Sequence, residues 1–307
     1  METAKVIAFQ IIIMFLLIAF GAGLYKWGFI TKRANKQLSN FVISVVCPVL
    51  IFTTYQTDFD MSLLKGLLIS ALIAAVSHLL LFLTANIVIK KKDNPDYNIE
   101  RFSIGYSNCA FLCIPLIQSV YGDTGVLYLT AYITVFNLLM WTHGVSTMKK
   151  SSDFRSFLKA LRSPAIISIV LGILCFVTGL RLPEILLKPL NYISSLNTPL
   201  AMIVSGITFA QSDLKNAFKK PKIYLIAAFK LLIVPIVILL VLMPFSIDET
   251  ILNTSVIAAA CPTATAAIMF AYKYGGNAVY ASEIFALSTI MSAFTLPLIL
   301  VISSILN

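Results

Sequence analysis

Two proline-bearing stretches hold the residue types in this chain whose spacing suits chemistry. "SNCAFLCIPLIQSVYG" (107–122) sets Asn108, Cys109, Cys113 and Pro115 inside an apolar run, and "AACPTATAA" (259–267) sets Cys261, Pro262, Thr263 and Thr265 inside another. Neither stretch is a bond-making set. The chain has no H-E-x-x-H, G-x-S-x-G or Walker A motif and no paired aspartates of the prenyl-transfer type, and its two histidines stand apart. The 109–113 cysteine spacing is one helical turn, which small-residue packing explains better than a metal or redox pair. Amides, hydroxyls and an opened backbone do suit ligand holding. A proline lacks an N–H and fits the first turn of a new half-helix, whose free donors and partial charge of about +0.5 attract carboxylate or phosphate. The expectation is a non-enzymatic anion site with no cofactor and no metal.

The elements that must position such a site follow from composition. Of 307 residues 59% are hydrophobic and 12% charged, with a mean hydropathy of +0.92, against roughly 25% charged in soluble domains. A bilayer core about 30 Å thick needs about 20 apolar residues of helix. Ten segments meet that length: 6–24, 38–55, 64–89, 102–120, 124–147, 164–180, 186–211, 223–245, 251–272 and 279–302. Period-two alternation is absent, so the fold class expected is an all-α polytopic membrane protein and not a β-barrel. The odd-numbered connections carry eighteen Lys and Arg residues and the other face four, Lys5, Lys65, Arg181 and Lys188. The positive-inside rule then places the odd connections in the cytoplasm of a cell membrane and both termini outside. The net charge of +10 is read as topology, and nucleic acid is not expected as a partner. A single Lys5 and no A-x-A cleavage site argue for a first helix over a signal peptide.

The chain also resembles itself. "VCPVLIF" (46–52) has a counterpart in "NTPLAMI" (197–203), "CIPLI" (113–117) in "ACPTA" (260–264), and "YGDTGV" (121–126) in "YGGNAV" (274–279), at offsets of 151, 147 and 153. Three matches in one order predict two repeats, 1–150 and 164–307, joined by a short cytoplasmic linker at 151–163. Five helices is an odd number, so the second repeat enters inverted, as in many secondary transporters. Pro115 and Pro262 are predicted to start half-helices at crossing breaks in the fourth and ninth segments, with free N–H groups near Leu116 and Thr263. Pro48 and Pro199 are predicted breaks in the second and seventh.

Ionisable residues inside helices are functional candidates by default. Lys230 lies about 12 Å into the eighth segment, which suits either snorkelling to the cytoplasmic surface or a charge in the anion path. His78, 152 residues earlier, suits either a hydrogen-bonded packing role or a proton relay. Glu283 and Asp213 are expected at the solvated cytoplasmic interface, and Trp27 and Trp141 in the aromatic belts. The candidate substrate-binding residues are therefore Asn108, Cys113, Pro115, Cys261, Pro262, Thr263, Thr265 and Lys230.

The second helix "LSNFVISVVCPVLIF", the "SNCAFLCIPLIQSVYG" segment and "AACPTATAAIMFAYKYGGNAVYASEIFALSTIMSAFTLPLI" resemble the auxin efflux carrier family across the whole chain. That family includes plant auxin exporters and bacterial permeases for organic acids such as malate and malonate. The resemblance implies ten helices in two inverted repeats, crossing breaks in helices 4 and 9, and elevator-type alternating access for a small organic anion. It also admits H+ or Na+ as a coupling ion, and a homodimer in the lipid bilayer. The long central loop of many plant members is absent, which favours the microbial carriers. A sodium-coupled symporter resembling the bile-acid carriers is the alternative, with a channel or receptor behind it.

Overall fold

The computed structural model describes residues 2–91, 95–149 and 162–306, so the 151–163 linker lies almost wholly outside the described residues. Those residues are helices and turns, with one isolated antiparallel bridge. In order they are α1 (Glu2–Lys26), α2 (Lys32–Thr54), α3 (Met61–Val88), α4 (Tyr97–Gly105), α5 (109–121), α6 (123–149), α7 (Pro164–Thr178), α8 (Glu184–Ala210), α9 (Pro221–Leu242), α10 (Glu249–Ala260), α11 (Ala266–Tyr274) and α12 (Ala278–Leu306). Among the described residues, seven helical stretches are long and apolar enough to cross a membrane. The count is below ten for local reasons. α4, α10 and α11 are half-length, α7 has 15 residues, and α5 runs into α6 through Gly122, whose φ of 60° and ψ of −154° mark a sharp turn open to glycine.

The local sequence sets most of the ends. Thr31, Asp60, Ser163 and Asp248 cap α2, α3, α7 and α10 with side-chain oxygens on first-turn N–H groups, and left-handed glycines at 179 and 275 close α7 and α11. Prolines inside the helices act differently from the expectation of breaks. Pro48, Pro115 and Pro235 each follow a π turn by two residues (Val42–Val46, Cys109–Cys113, Phe229–Ile233). A proline has no N–H for the carbonyl four residues back and its ring crowds that carbonyl, so the helix widens by one residue and carries on. Pro48 is thus a bulge in a continuous α2. Pro199 lies in the first turn of Asn197–Ala210, past the single turn residue Leu196.

The helices pack in two groups. α1 lies along α8, and α2 lies against α7 and α8. A Cβ on Gly206 would collide with the Ile18 carbonyl and one on Gly21 with that of Ile203, so only glycine permits this backbone approach. Asn35 Nδ2 donates to Thr208 Oγ1 at 3.0 Å, and Cys47 Sγ to Asn197 Oδ1 at 3.1 Å. The second group, α3 to α6 with α9 to α12, surrounds the breaks between α4 and α5 and between α10 and α11. Outward faces of α1, α3 and α7 expose Phe9, Leu16, Leu68, Leu72, Leu83, Val170 and Leu174, an apolar surface for lipid. The chain is a multi-pass membrane protein.

Candidate functional site at the helix breaks

Each break is a short extended strand, and the two strands pair. Ser107 and Thr263 form the bridge; Asn108 N–H donates to the Pro262 carbonyl at 2.7 Å and Ala264 N–H to the Tyr106 carbonyl at 3.0 Å. Backbone groups that a buried break would orphan are satisfied by the other break, which is why both occur together. Thr263 adds Oγ1 to the Ser103 carbonyl at 3.2 Å, and its N–H donates to Ser288 Oγ at 3.3 Å, so that expected free donor is occupied. Asn108, buried at the start of α5, keeps its Nδ2 without a protein partner. The strands that lead into α5 and α11 thus meet at one buried point, with the Asn108 amide on one of them.

Lys230 belongs to this point. Its Nζ donates to Ser107 Oγ at 2.6 Å and to the Ala259 carbonyl at 3.0 Å, and the side chain is fully buried. The π turn ahead of Pro235 carries it on α9. Snorkelling is therefore excluded: the ammonium turns inward to the crossing instead of outward, because the terminal carbonyls of α10 need donors.

A cavity of about 640 Å³ reaches the site from one face. Phe111 and Thr265, in the first turns of α5 and α11, line it with Ile43, Val204, Thr208 and Met269, and Lys32, Lys36 and Lys273 also line it. It lies between the two helix groups. Thr265 is half-buried there, whereas Pro262 and Thr263 are buried behind it.

Other expectations separate. Pro115 lies eight residues past Ser107 inside the helix, so α5 starts at Cys109, Leu116 is interior, and Pro115 is not the equivalent of Pro262. The bridge relates residues 156 apart, not 147, because the paired strands, and not the prolines, mark the crossing. Cys113 and Cys261 face one another beside the bridge, buried, and among the described residues no group of three metal-ligating side chains forms. His78 Nδ1 meets the Ala74 carbonyl at 2.7 Å, and its ring sits among Phe82, Tyr106, Tyr132 and Phe136. This is a packing environment. Trp27 is exposed and Trp141 stacks edge-on against Phe270.

Two buried carboxylates escaped the sequence reading. Glu283, expected in solvent, is fully buried; it takes Lys220 Nζ at 2.5 Å and Asn216 Nδ2 at 2.8 Å. Glu100, equally buried, takes Lys222 Nζ at 3.0 Å and Tyr280 Oη at 2.9 Å. The start of α9 closes over both groups with Lys220 and Lys222, so each carboxylate is buried with a cation. The signal available was Lys220 and Lys222 flanking Pro221 at a helix start. Asp213 caps the next short turn through Asn216 N–H.

Paired helix breaks buried beside a cavity define a membrane carrier, a class in which irregular backbone is tolerated only where protein or a cavity surrounds it. The chain belongs to the membrane transport protein family, whose sequence model matches residues 6–300, in keeping with its resemblance to auxin efflux carriers. It is similar to an uncharacterised transporter of Methanocaldococcus jannaschii, 26% identical over 216 residues that cover 67% of this chain and 70% of the relative. A second uncharacterised transporter, from Methanothermobacter thermautotrophicus, is 23% identical over 286 residues, 92% and 93% of the two chains. A Rhizobium meliloti protein named "Putative malonate transporter" is 24% identical over 300 residues, covering 89% of this chain and 90% of its own.

Proposed function

We propose that this protein is a secondary carrier of small organic anions, of the malonate or malate class, in the cell membrane. The observation that carries the reading is the buried pairing of two helix breaks that holds the unpartnered Asn108 amide, with Phe111 and Thr265 of the following helices lining a cavity shared with Lys32, Lys36 and Lys273. Helix-end donors and the amide suit a carboxylate, and the three lysines raise the local concentration of anions. The name of the Rhizobium meliloti relative points the same way.

In this reading the chain crosses the membrane ten times in two inverted repeats, with both termini outside; α4–α5 and α10–α11 count as one broken span each, and α7 spans with its flanking turns. α1, α2, α7 and α8 form the stationary wall, held by the Gly21 and Gly206 contact, and the remaining helices carry the site past it. The cavity lies on the cytoplasmic side, since its lysines belong to the basic connections.

The test is uptake into proteoliposomes of labelled malonate, competed by a panel of mono- and dicarboxylates, neutral sugars and organic cations. Carboxylates alone should compete. Competition from sugars or cations alone overturns the anion reading. A cytoplasm-active reporter fused after Asn307 should give no signal; full activity there overturns the ten-span topology.

A further inference from the structure

We propose that the Lys230 ammonium is a built-in cation which holds the place of a bound monovalent ion at the C-terminal end of α10, so that transport needs no sodium. This deepens the preceding reading, since it concerns the same crossing. α10 ends at Ala260, and the last carbonyls of a helix have no intrahelical partner and carry about −0.5 of a charge. Here that end is buried in the middle of the protein. Ala259 O accepts Lys230 Nζ at 3.0 Å and Ser107 Oγ at 3.1 Å, while Ser107 Oγ itself accepts from Nζ at 2.6 Å. The hydroxyl gives its proton to one helix's carbonyl and its lone pair to the ammonium, so a single cation ties both breaks together.

The ligand set is of the kind a sodium ion takes: a main-chain carbonyl at a helix end and a hydroxyl, all oxygen. Lys230 lies among those oxygens with no carboxylate opposite. Among the described residues, the buried carboxylates Glu100 and Glu283 are matched by Lys222 and Lys220, and Lys230 has no ion pair. Its charge is balanced by the helix end itself. The ammonium is bonded to Ser107, the residue before Asn108, where it adds positive potential for an anion held near that amide.

A chain with its own cation at this point gains nothing from a free one. The other break shows the contrast: the Ser103 and Phe102 carbonyls at the end of α4 take the neutral donors Thr263 Oγ1 and Tyr106 N–H.

The experiment has two arms. In detergent, the thermal midpoint of the wild-type protein should be the same in sodium chloride and choline chloride, and that of Lys230→Ala should be lower in choline chloride and recover with millimolar methylammonium, but not with tetramethylammonium, which is too large and has no N–H. Recovery in neither methylammonium nor sodium overturns the proposal. In proteoliposomes, wild-type malonate uptake should agree within about twofold between sodium and choline media, Lys230→Met should lower it about tenfold or more, and Lys230→Arg should retain more than Lys230→Met; the tenfold expectation corresponds to loss of a charged hydrogen bond. Sodium stimulation of the wild type, or unchanged uptake in Lys230→Met, overturns the proposal. The thermal arm uses no organic anion, so the anion reading can fail there without effect, and failure of the thermal arm leaves malonate uptake standing. Lys230→Ser, which leaves the same space open for methylammonium, serves for the thermal arm if Lys230→Ala does not fold.

Discussion

α3 and α9 both pack against α10, and each carries a buried polar residue, His78 and Lys230, yet they treat charge in opposite ways. α3 surrounds its polar residue with four aromatic rings and turns it onto its own helix. α9 and the residue before it turn three lysines inward: Lys220 to Glu283, Lys222 to Glu100 and Lys230 to the crossing. Neighbouring helices thus support two chemistries, an aromatic wall on one side and a cationic one on the other. The difference teaches that two helices packed on one crossing can share its backbone while the charge belongs to only one of them.

The largest effect should come from breaking the α9 side at Lys220. Lys220→Met leaves the Glu283 carboxylate buried with Asn216 alone, and loss of one member of a buried pair costs about 3–5 kcal/mol. Lys220 keeps about a third of its side chain in water (35%), so a value near the lower end, about 3 kcal/mol, is expected. Thermal unfolding in detergent reads this. Adding Glu283→Leu to the same chain should recover most of the loss, because no unpaired charge then remains. A double variant no better than the single one would mean that Glu283 is not charged against Lys220. The exposed pairs Arg181–Asp58 and Lys188–Glu184 supply the control, each worth under about 1 kcal/mol.

A smaller effect separates the two prolines. Pro262 lies in the paired strand, and Pro115 within α5 beyond its π turn. If Pro262→Ala lets α10 run on, helix-end donors pair internally, and a helix-end charge interaction of about 0.3–2 kcal/mol is lost, which is roughly 2-fold to 30-fold in affinity. The strand is also pinned by Asn108 and Ala264, so the lower half of that range is expected. Pro115→Ala should change affinity less than Pro262→Ala. Malonate affinity measured at matched membrane abundance decides it, and equal losses at both positions would restore the symmetric reading of the prolines.

Much of this was legible in the sequence because membrane helices announce themselves by length and apolarity. The ends of α3, α7, α8 and α12 fall within a few residues of the hydropathy segments, and the two stretches quoted for Asn108 and Thr263 do contain the breaks. What the sequence hid is pairing across distance. Nothing local says that Ser107 lies against Thr263, and proline matching put the register nine residues away, since a proline two residues past a π turn reads the same as one at a break. Glu283 was unreadable for a related reason: a carboxylate near a helix end looks solvated until a second helix arrives with Lys220. Lys230 was half legible. Its depth was evident, but its direction depends on the π turn before Pro235, which rotates the helix face by the width of one inserted residue.

The smallest effect expected is at His78, and it tests the neutral side of the comparison. Nδ1 faces a carbonyl, which can only accept, so Nδ1 carries the proton in a hydrogen bond of 2.7 Å, and burial among aromatic rings favours the neutral imidazole. Ala74 O lies four residues back on the same helix, where the backbone N–H of residue 78 already donates to it, so removing the imidazole leaves no orphaned acceptor. His78→Phe keeps a flat ring among Phe82, Tyr132 and Phe136 and gives up only that bond. The stability cost should be at most about 1 kcal/mol. More telling is the pH profile of malonate uptake between pH 5 and 8, where an unperturbed imidazole titrates. For a wall residue the profile of His78→Phe superimposes on that of the wild type after scaling. A profile that loses its pH dependence would turn α3 from a neutral wall into a proton path, and the contrast with α9 would become one between two kinds of moving charge.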